Sequence, residues 1–179
     1  MTALPRGSIY PFRGIMPQVS DSCFIAPTAV VTGDVRVGEE SSLWFGAVVR
    51  GDVNFVRIGF RTNIQDNAVV HCTKDGHPTL IGDEVTVGHS AIIHACTLAD
   101  ACFIGMGAII LDGAGVQSRA MVAAGAVVTG GKIIPAGELW AGNPAKKLRD
   151  LTAEERDNLH RIAARYIDYA AAYRLGSQA

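Results

Sequence analysis

Long apolar runs are absent from the 179 residues: nothing approaches the roughly 18 uninterrupted apolar side chains that a membrane-crossing helix requires. The opening MTALPRGSIY also lacks the basic-then-apolar order of an export signal, so a cytoplasmic location without a membrane partner is expected. Charge of one sign is equally scarce. The formal net charge is -1 with Lys and Arg scattered, which leaves no electrostatic footprint for nucleic acid. Small-molecule chemistry is the class that remains. The four cysteines, Cys23, Cys72, Cys96 and Cys102, show neither CxxC spacing nor the framework of a small secreted domain, and they read as reduced thiols. Aromatic residues are only 7% although hydrophobic residues are 49%, so the apolar content is mainly Val, Ile, Leu and Ala. Small branched side chains of that kind suit stacked strands.

What is present is a repeat. From Ile25 to about residue 130 the chain can be written as seventeen rungs, six residues long except the five of Ile93 to Thr97, each opening on Ile, Leu or Val. The fifth position is Ala, Ser, Thr, Val or Cys in every rung except those carrying Lys74 and Lys132. Those two fall where the period breaks, for insertions near 74–80 and 132–139, and a third insertion is read near Phe55 to Arg57. A period of six matches neither a 3.6-residue helix nor long two-residue alternation. It matches short strands joined by tight corners, with the first residue inward, the small fifth residue beside it and Gly, Asp or Asn turning the chain. Three rungs make a triangular coil, and coils stack in parallel at about 4.8 Å.

Past the Pro- and Gly-rich exit around Trp140 to Asp150 comes a helix. Thr152 and Glu155 have capping-box spacing, and Leu159, Ile162, Ala163, Tyr166, Ile167, Ala170 and Tyr173 recur on one face. The expected organisation is therefore all-β, a single domain over 1–179: a parallel β-helix at about 12–148 with its lead-in, and a helix at about 152–175 packed outside. The aromatic stripe reads as packing.

Counting rungs places the histidines. His71 is second in the rung opening at Val70, and His94 is second in the rung opening at Ile93, one full coil later. Their side chains should stand one above the other on an outer face with Cα atoms about 4.8 Å apart. Two such imidazoles can share one ion at a metal to nitrogen distance of about 2.0 to 2.1 Å. His89, third in the rung opening at Val87, lies on the adjacent face and cannot meet them within one chain. A threefold assembly would bring it against the His71 and His94 face of a neighbour. The alternative is a stacked pair of neutral imidazoles on a solvated face. His77, in the loop before Leu80, and His160, on the helix, read as surface residues, with His77 near enough to relay protons.

Three neutral ligands would leave a fourth position for water, whose pKa a zinc-type metal lowers to about 7, giving hydroxide at neutral pH. Gln65 lies one coil beneath the His89 rung, where an uncharged amide can hydrogen-bond that hydroxide without competing for the metal. Asn63 is placed to hold Gln65. Arg50, one coil below His71, can guide an anion such as bicarbonate or pair with Asp52 or Asp66 across a subunit boundary. A purely structural network of these charges at the interface is the other reading.

The segments Arg50-Gly51-Asp52, Asn63-Ile64-Gln65-Asp66-Asn67, Val70-His71, Val87-Gly88-His89-Ser90-Ala91-Ile92-Ile93-His94 and Trp140-Ala141-Gly142-Asn143-Pro144-Ala145-Lys146 resemble those of γ-class carbonic anhydrases and their close relatives. The resemblance covers nearly the whole chain. The histidine set is its specific part, while the hexapeptide pattern and the exit segment are shared with many acyltransferases. It implies a left-handed β-helix, a homotrimer and interfacial metal sites holding Zn2+, or Fe2+ or Co2+. It implies that His71 and His94 bind from one subunit and His89 from the next, and that the reaction is reversible hydration of carbon dioxide to bicarbonate. Tyr166 is carried over as a catalytic helper from the terminal helix of relatives. The chain departs from the founding type, which has a glutamate after the residue matching Asp52 and a proton-shuttling glutamate in the loop after the first ligand. Here those places hold Val53 and the segment Cys72 to Pro78, which has no glutamate.

Three functions fit these residues: a metal-dependent carbonic anhydrase, a coenzyme A thioesterase or acyltransferase of the hexapeptide class, and a metal-stabilised scaffold with little turnover. An acyltransferase needs one basic histidine and a long groove rather than three convergent ligands.

Overall fold

A computed structural model describes residues 6–175 of the protein; the first five and last four residues of the expected domain lie outside it. The chain winds as a left-handed parallel β-helix. All seventeen first-position residues, from Ile25 to Val128, are buried, none more than 4% exposed, so one continuous apolar axis runs through the coils. The small fifth residues fill in beside them, buried in every rung that has one except Val53 and Thr97. Thr97 belongs to a rung shortened by one residue, and its inward place goes to Cys96.

The strands form three columns. One carries Val48–Ile58 by its first half, then Val69–His71, Ile92–His94, Ile109–Ile110 and Val127–Val128. The second carries Val56 to Ile58, Thr79–Ile81, Thr97–Leu98, Gly115–Val116 and Ile133–Ile134. The third carries Phe24–Ile25, Ser42–Leu43, Asn63–Ile64, Thr86–Val87, Phe103–Ile104 and Met121–Val122. Between columns the fourth residue of most rungs takes the left-handed backbone conformation, including Arg61, Asn67, Glu84, Ser90 and Arg119, which turns the corner. These corners stack through backbone bonds such as Ser90 N–H to Asp66 O at 2.8 Å and Gly107 N–H to His89 O at 2.8 Å.

Two of the sequence insertions lie elsewhere than expected. Near residue 135 there is none: Ile134 stacks on Val116 and Trp140 on Val122, so the repeat continues another rung, with Pro135 to Leu139 as its body. The extra residues near Phe55 sit earlier, at Asp52 to Phe55, because Gly51 pairs with Gly33 while Val56 already pairs with Val35. That bulge throws Val53 outward, 41% exposed, which explains its failure as an inward fifth residue. The coil also begins before residue 12, since Ser8–Tyr10 pairs in parallel with Val30 to Thr32. At the far end Lys146–Asp150 turns back antiparallel onto Glu138–Ala141.

The helix Ala153–Leu175 starts at the expected box: Thr152 Oγ1 accepts from Glu155 N–H at 3.1 Å, and Glu155 Oε2 accepts from Thr152 N–H at 2.9 Å. It lies against the third column. Leu159, Ala163 and Ala170 are buried there, and Tyr166 and Tyr173 meet Trp44 edge-on at 5.4 and 5.5 Å between ring centroids. No helix among the described residues is long and apolar enough to cross a membrane.

Candidate metal centre

His71 and His94 end two adjacent strands of the first column and are direct register partners. Parallel stacking alone brings their rings to 5.3 Å between centroids, with His71 Nδ1 facing His94 Nε2 at 3.3 Å. The opposite nitrogen of each ring meets a carboxylate: His71 Nε2 donates to Asp52 Oδ1 at 2.9 Å, and His94 Nδ1 donates to Asp112 Oδ1 at 2.6 Å. With those protons assigned to the carboxylate sides, the two facing nitrogens both present lone pairs. Lone pairs so close repel unless a cation stands between them. Two nitrogens held at about 2.05 Å on a tetrahedral ion would be separated by about 3.3 Å, which is the spacing found. The donor set therefore fits a zinc-type metal. A proton shared between the rings fits the same spacing.

His89 occupies the corner residue before left-handed Ser90, on the third column. Its Nδ1 lies 2.7 Å from Asp66 Oδ2, a close contact without hydrogen-bond geometry, and Asp66 is the matching corner residue one coil below. His89 also lines a groove. Two adjoining hollows of roughly 390 and 310 Å3 share His89, Tyr166 and Tyr169; Trp44 and Phe45 wall one, and Met106 and Arg165 the other. Among the described residues of the single chain, no three His, Cys, Asp or Glu side chains converge on one point. Two histidines are brought together, and the third stands apart on another face.

Gln65 is buried beneath the groove and donates from Nε2 to Asn63 Oδ1 at 3.1 Å; Asn63 in turn donates to Thr86 Oγ1 at 2.9 Å. That pair fixes the Gln65 amide and leaves its carbonyl oxygen without a partner among the described residues. Within the chain Arg50 pairs with Asp52, so Arg50, Asp52 and His71 form one run. Burial raises the Asp52 pKa, but the bonds from His71 and Arg50 outweigh it and hold the carboxyl below its ordinary value. Asp112 is likewise held low, first by the Thr73 hydroxyl and also by His94. Burial raises the Tyr166 phenol, and the Asp66 charge adds to this. His77 is exposed in the loop, and His160 is bound to Glu84 at the foot of the helix, away from the centre. All four cysteines are free and buried, and burial raises each thiol, Cys96 to about 12, which keeps them out of metal chemistry at neutral pH.

The sequence reading missed Asp112 and Thr73. A signal for Asp112 existed: every ligating imidazole needs a partner for its second nitrogen, and Asp112 is the only acid in the rung stacked above His94.

No protein-family model matches the chain. Among characterised sequences it is 44% identical over 166 residues to a carbonic anhydrase of Geobacillus kaustophilus, spanning 93% of this chain and 91% of that protein. It is 52% identical over 162 residues to mitochondrial γ carbonic anhydrase 1 of Arabidopsis thaliana. The chain belongs to the γ carbonic anhydrase family. It spans 59% of the length of that plant member of the family, although 88% of the chain is matched. Another relative of the family chain is the uncharacterized transferase YtoA of Bacillus subtilis, 52% identical with 95% of this chain and 99% of that one aligned. A solved hexapeptide transferase family protein of Anaplasma phagocytophilum superposes with a TM-score of 0.89 at 47% identity, covering 93% of this chain and 98% of the other.

Proposed function

We propose that the protein is a metal-dependent carbonic anhydrase that interconverts carbon dioxide and bicarbonate at sites shared between subunits of a homotrimer. The observation that carries this reading is the 3.3 Å approach of one nitrogen of His71 to one of His94, each ring having its other nitrogen against a carboxylate. His71 and His94 of one subunit would hold the metal together with His89 of the next. Zn2+ is the first candidate, and Fe2+ or Co2+ suit the same nitrogen donors. When bound, such a metal acts as a Lewis acid and brings the pKa of a coordinated water to about 7.

The chain's own residues do the rest. Asp52 and Asp112 fix the tautomer and aim of His71 and His94, and the Asp66 carboxylate stands beside the His89 ring. Gln65, locked by Asn63, offers a carbonyl oxygen that accepts a hydrogen bond from the attacking oxygen and orients it. Tyr166, beside His89 in the groove, is kept protonated by burial and donates from its hydroxyl. Arg50, about half-exposed beyond Asp52, binds the bicarbonate anion and guides its release. No glutamate stands at Val53 or in the loop after His71, so proton export falls to His77 or to solvent.

The transferase names among the relatives favour a second reading, cleavage or transfer of an acyl thioester in the aromatic groove. One preparation decides between them. Protein purified without oxygen is analysed for bound metal, then assayed for carbon dioxide hydration and for thioester cleavage. Stoichiometric metal with hydration supports the anhydrase. Thioester turnover that survives metal removal overturns it, and metal with neither activity leaves a scaffold.

A further inference from the structure

Asp112 holds two elements at once. It is third in the rung opening at Ile110, which stacks on the His94 strand. One carboxylate oxygen receives the His94 Nδ1 proton at 2.6 Å, and the other receives the Thr73 hydroxyl. Thr73 lies two residues after His71, in the loop of Cys72 to Pro78. From below, Asn54 Nδ2 donates to the carbonyls of Thr73 at 3.1 Å and Gly76 at 3.0 Å. The loop closes on itself through Thr73 N–H to His77 O at 3.2 Å. From above, the His77 ring packs on Gly113, where a Cβ would fall 3.0 Å from its Nε2. Gly113 also has a φ of +68°, so the close approach and the turn both favour glycine there.

We propose that Asp112 is a positioning residue for the metal centre: it confines His94 to the tautomer whose Nε2 lone pair faces His71, and through Thr73 it ties the loop after His71 to the same support. The assignment rests on the metal reading above for its purpose, though not for its geometry. Which nitrogen of a neutral imidazole carries the proton is set by what the other one meets. Without the carboxylate, His94 is free to place its proton on Nε2, and a protonated nitrogen is no ligand. Asp52 performs the same office for His71, but Asp112 differs in gripping the loop as well. His94 orientation and loop position are thereby coupled through a single side chain.

The test uses the full-length protein with 15N-labelled histidines, free of metal, and reads imidazole tautomers from long-range proton–nitrogen correlations. The expected result is His94 as the Nδ1–H form in the unaltered protein and a shift towards Nε2–H in Asp112→Ala, with His71 unchanged. Asp112→Asn keeps a carbonyl acceptor and should restore most of the Nδ1–H form. Thr73→Val should leave the tautomer intact while the loop amides shift. In chelator competition with Zn2+, Asp112→Ala should bind about 10- to 100-fold more weakly, with Asp112→Asn between it and the parent. An unchanged His94 tautomer in Asp112→Ala, or affinity within about twofold of the parent's in a folded variant, overturns the proposal. Failure of the parent itself to take up Zn2+ overturns the metal reading instead, and the tautomer comparison still decides what Asp112 does.

Discussion

His71 and His94 each commit one ring nitrogen to a hydrogen-bonded carboxylate, and His89 lies beside the Asp66 carboxylate, so the three proposed ligands share one kind of neighbour. His89 is the member standing alone, half-exposed and outside the apolar axis. His89→Ala should therefore leave the circular dichroism and thermal unfolding of the coil nearly unchanged while metal content measured on the purified protein drops to background. Full occupancy in that variant would remove His89 from the site. Core residues behave in the opposite way: Ile104 is fully buried on the axis, and Ile104→Ala should cost about 2–5 kcal/mol in denaturant unfolding with no direct effect on the ligands. At this scale the positions of His71, His89, His94, Gln65 and Asn63 were legible because the rung number fixes face and height. Asp112 was signalled only as the acid of the rung above His94, and the corner after Ile110 had to be built before its carboxylate could be seen reaching that ring. The partner of Arg50 was open for a similar reason: the bulge at Asp52 to Phe55 turns Asp52 back onto its own strand.

Among the elements, the helix depends most on its first turn. Thr152→Ala removes the side-chain acceptor for Glu155 N–H and should destabilise the helix attachment by about 1 kcal/mol, seen as a lower unfolding midpoint. Glu155 is held down to about 2, first by Arg149 and then by the Thr152 backbone. A carboxylate depressed in the folded state contributes stability above its ordinary pKa and loses it as pH falls towards the folded value. Helix attachment should thus weaken as pH drops from about 4.5 to about 2, and Glu155→Gln should flatten that part of the profile. Because Tyr166 and Tyr173 clasp Trp44, indole fluorescence reports the loosening. The capping box and the packing stripe were both readable from spacing. The false insertion at 132–139 came from Lys132, an exposed fifth residue that broke the small-residue rule while the coil went on beneath it.

For the whole molecule the proposed threefold arrangement has a direct consequence. A site built from His89 of one subunit and His71 with His94 of the next is lost in either His89→Ala or His94→Ala alone. Each mixed trimer has a single interface that joins the two intact halves, so co-refolding equal amounts of the two metal-free variants should restore about one quarter of the parent's metal content. No recovery would mean that the ligands of a site come from one chain. The sequence period dictated the stacking of coils, whereas their hand had to come from resemblance, since a six-residue repeat is silent about chirality.

The antiparallel strand Lys146–Asp150 bears on a separate matter. A stack of near-identical rungs has no intrinsic reason to stop, because its last coil offers the next one the same row of amides that it received itself. Here the chain folds back over that row with Lys146, Lys147 and Arg149 on the closing strand, and the exit segment also occupies both backbone groups of Val127. The terminus works as a length gauge: it converts what would otherwise be a template for fibre growth into a finished particle of fixed height.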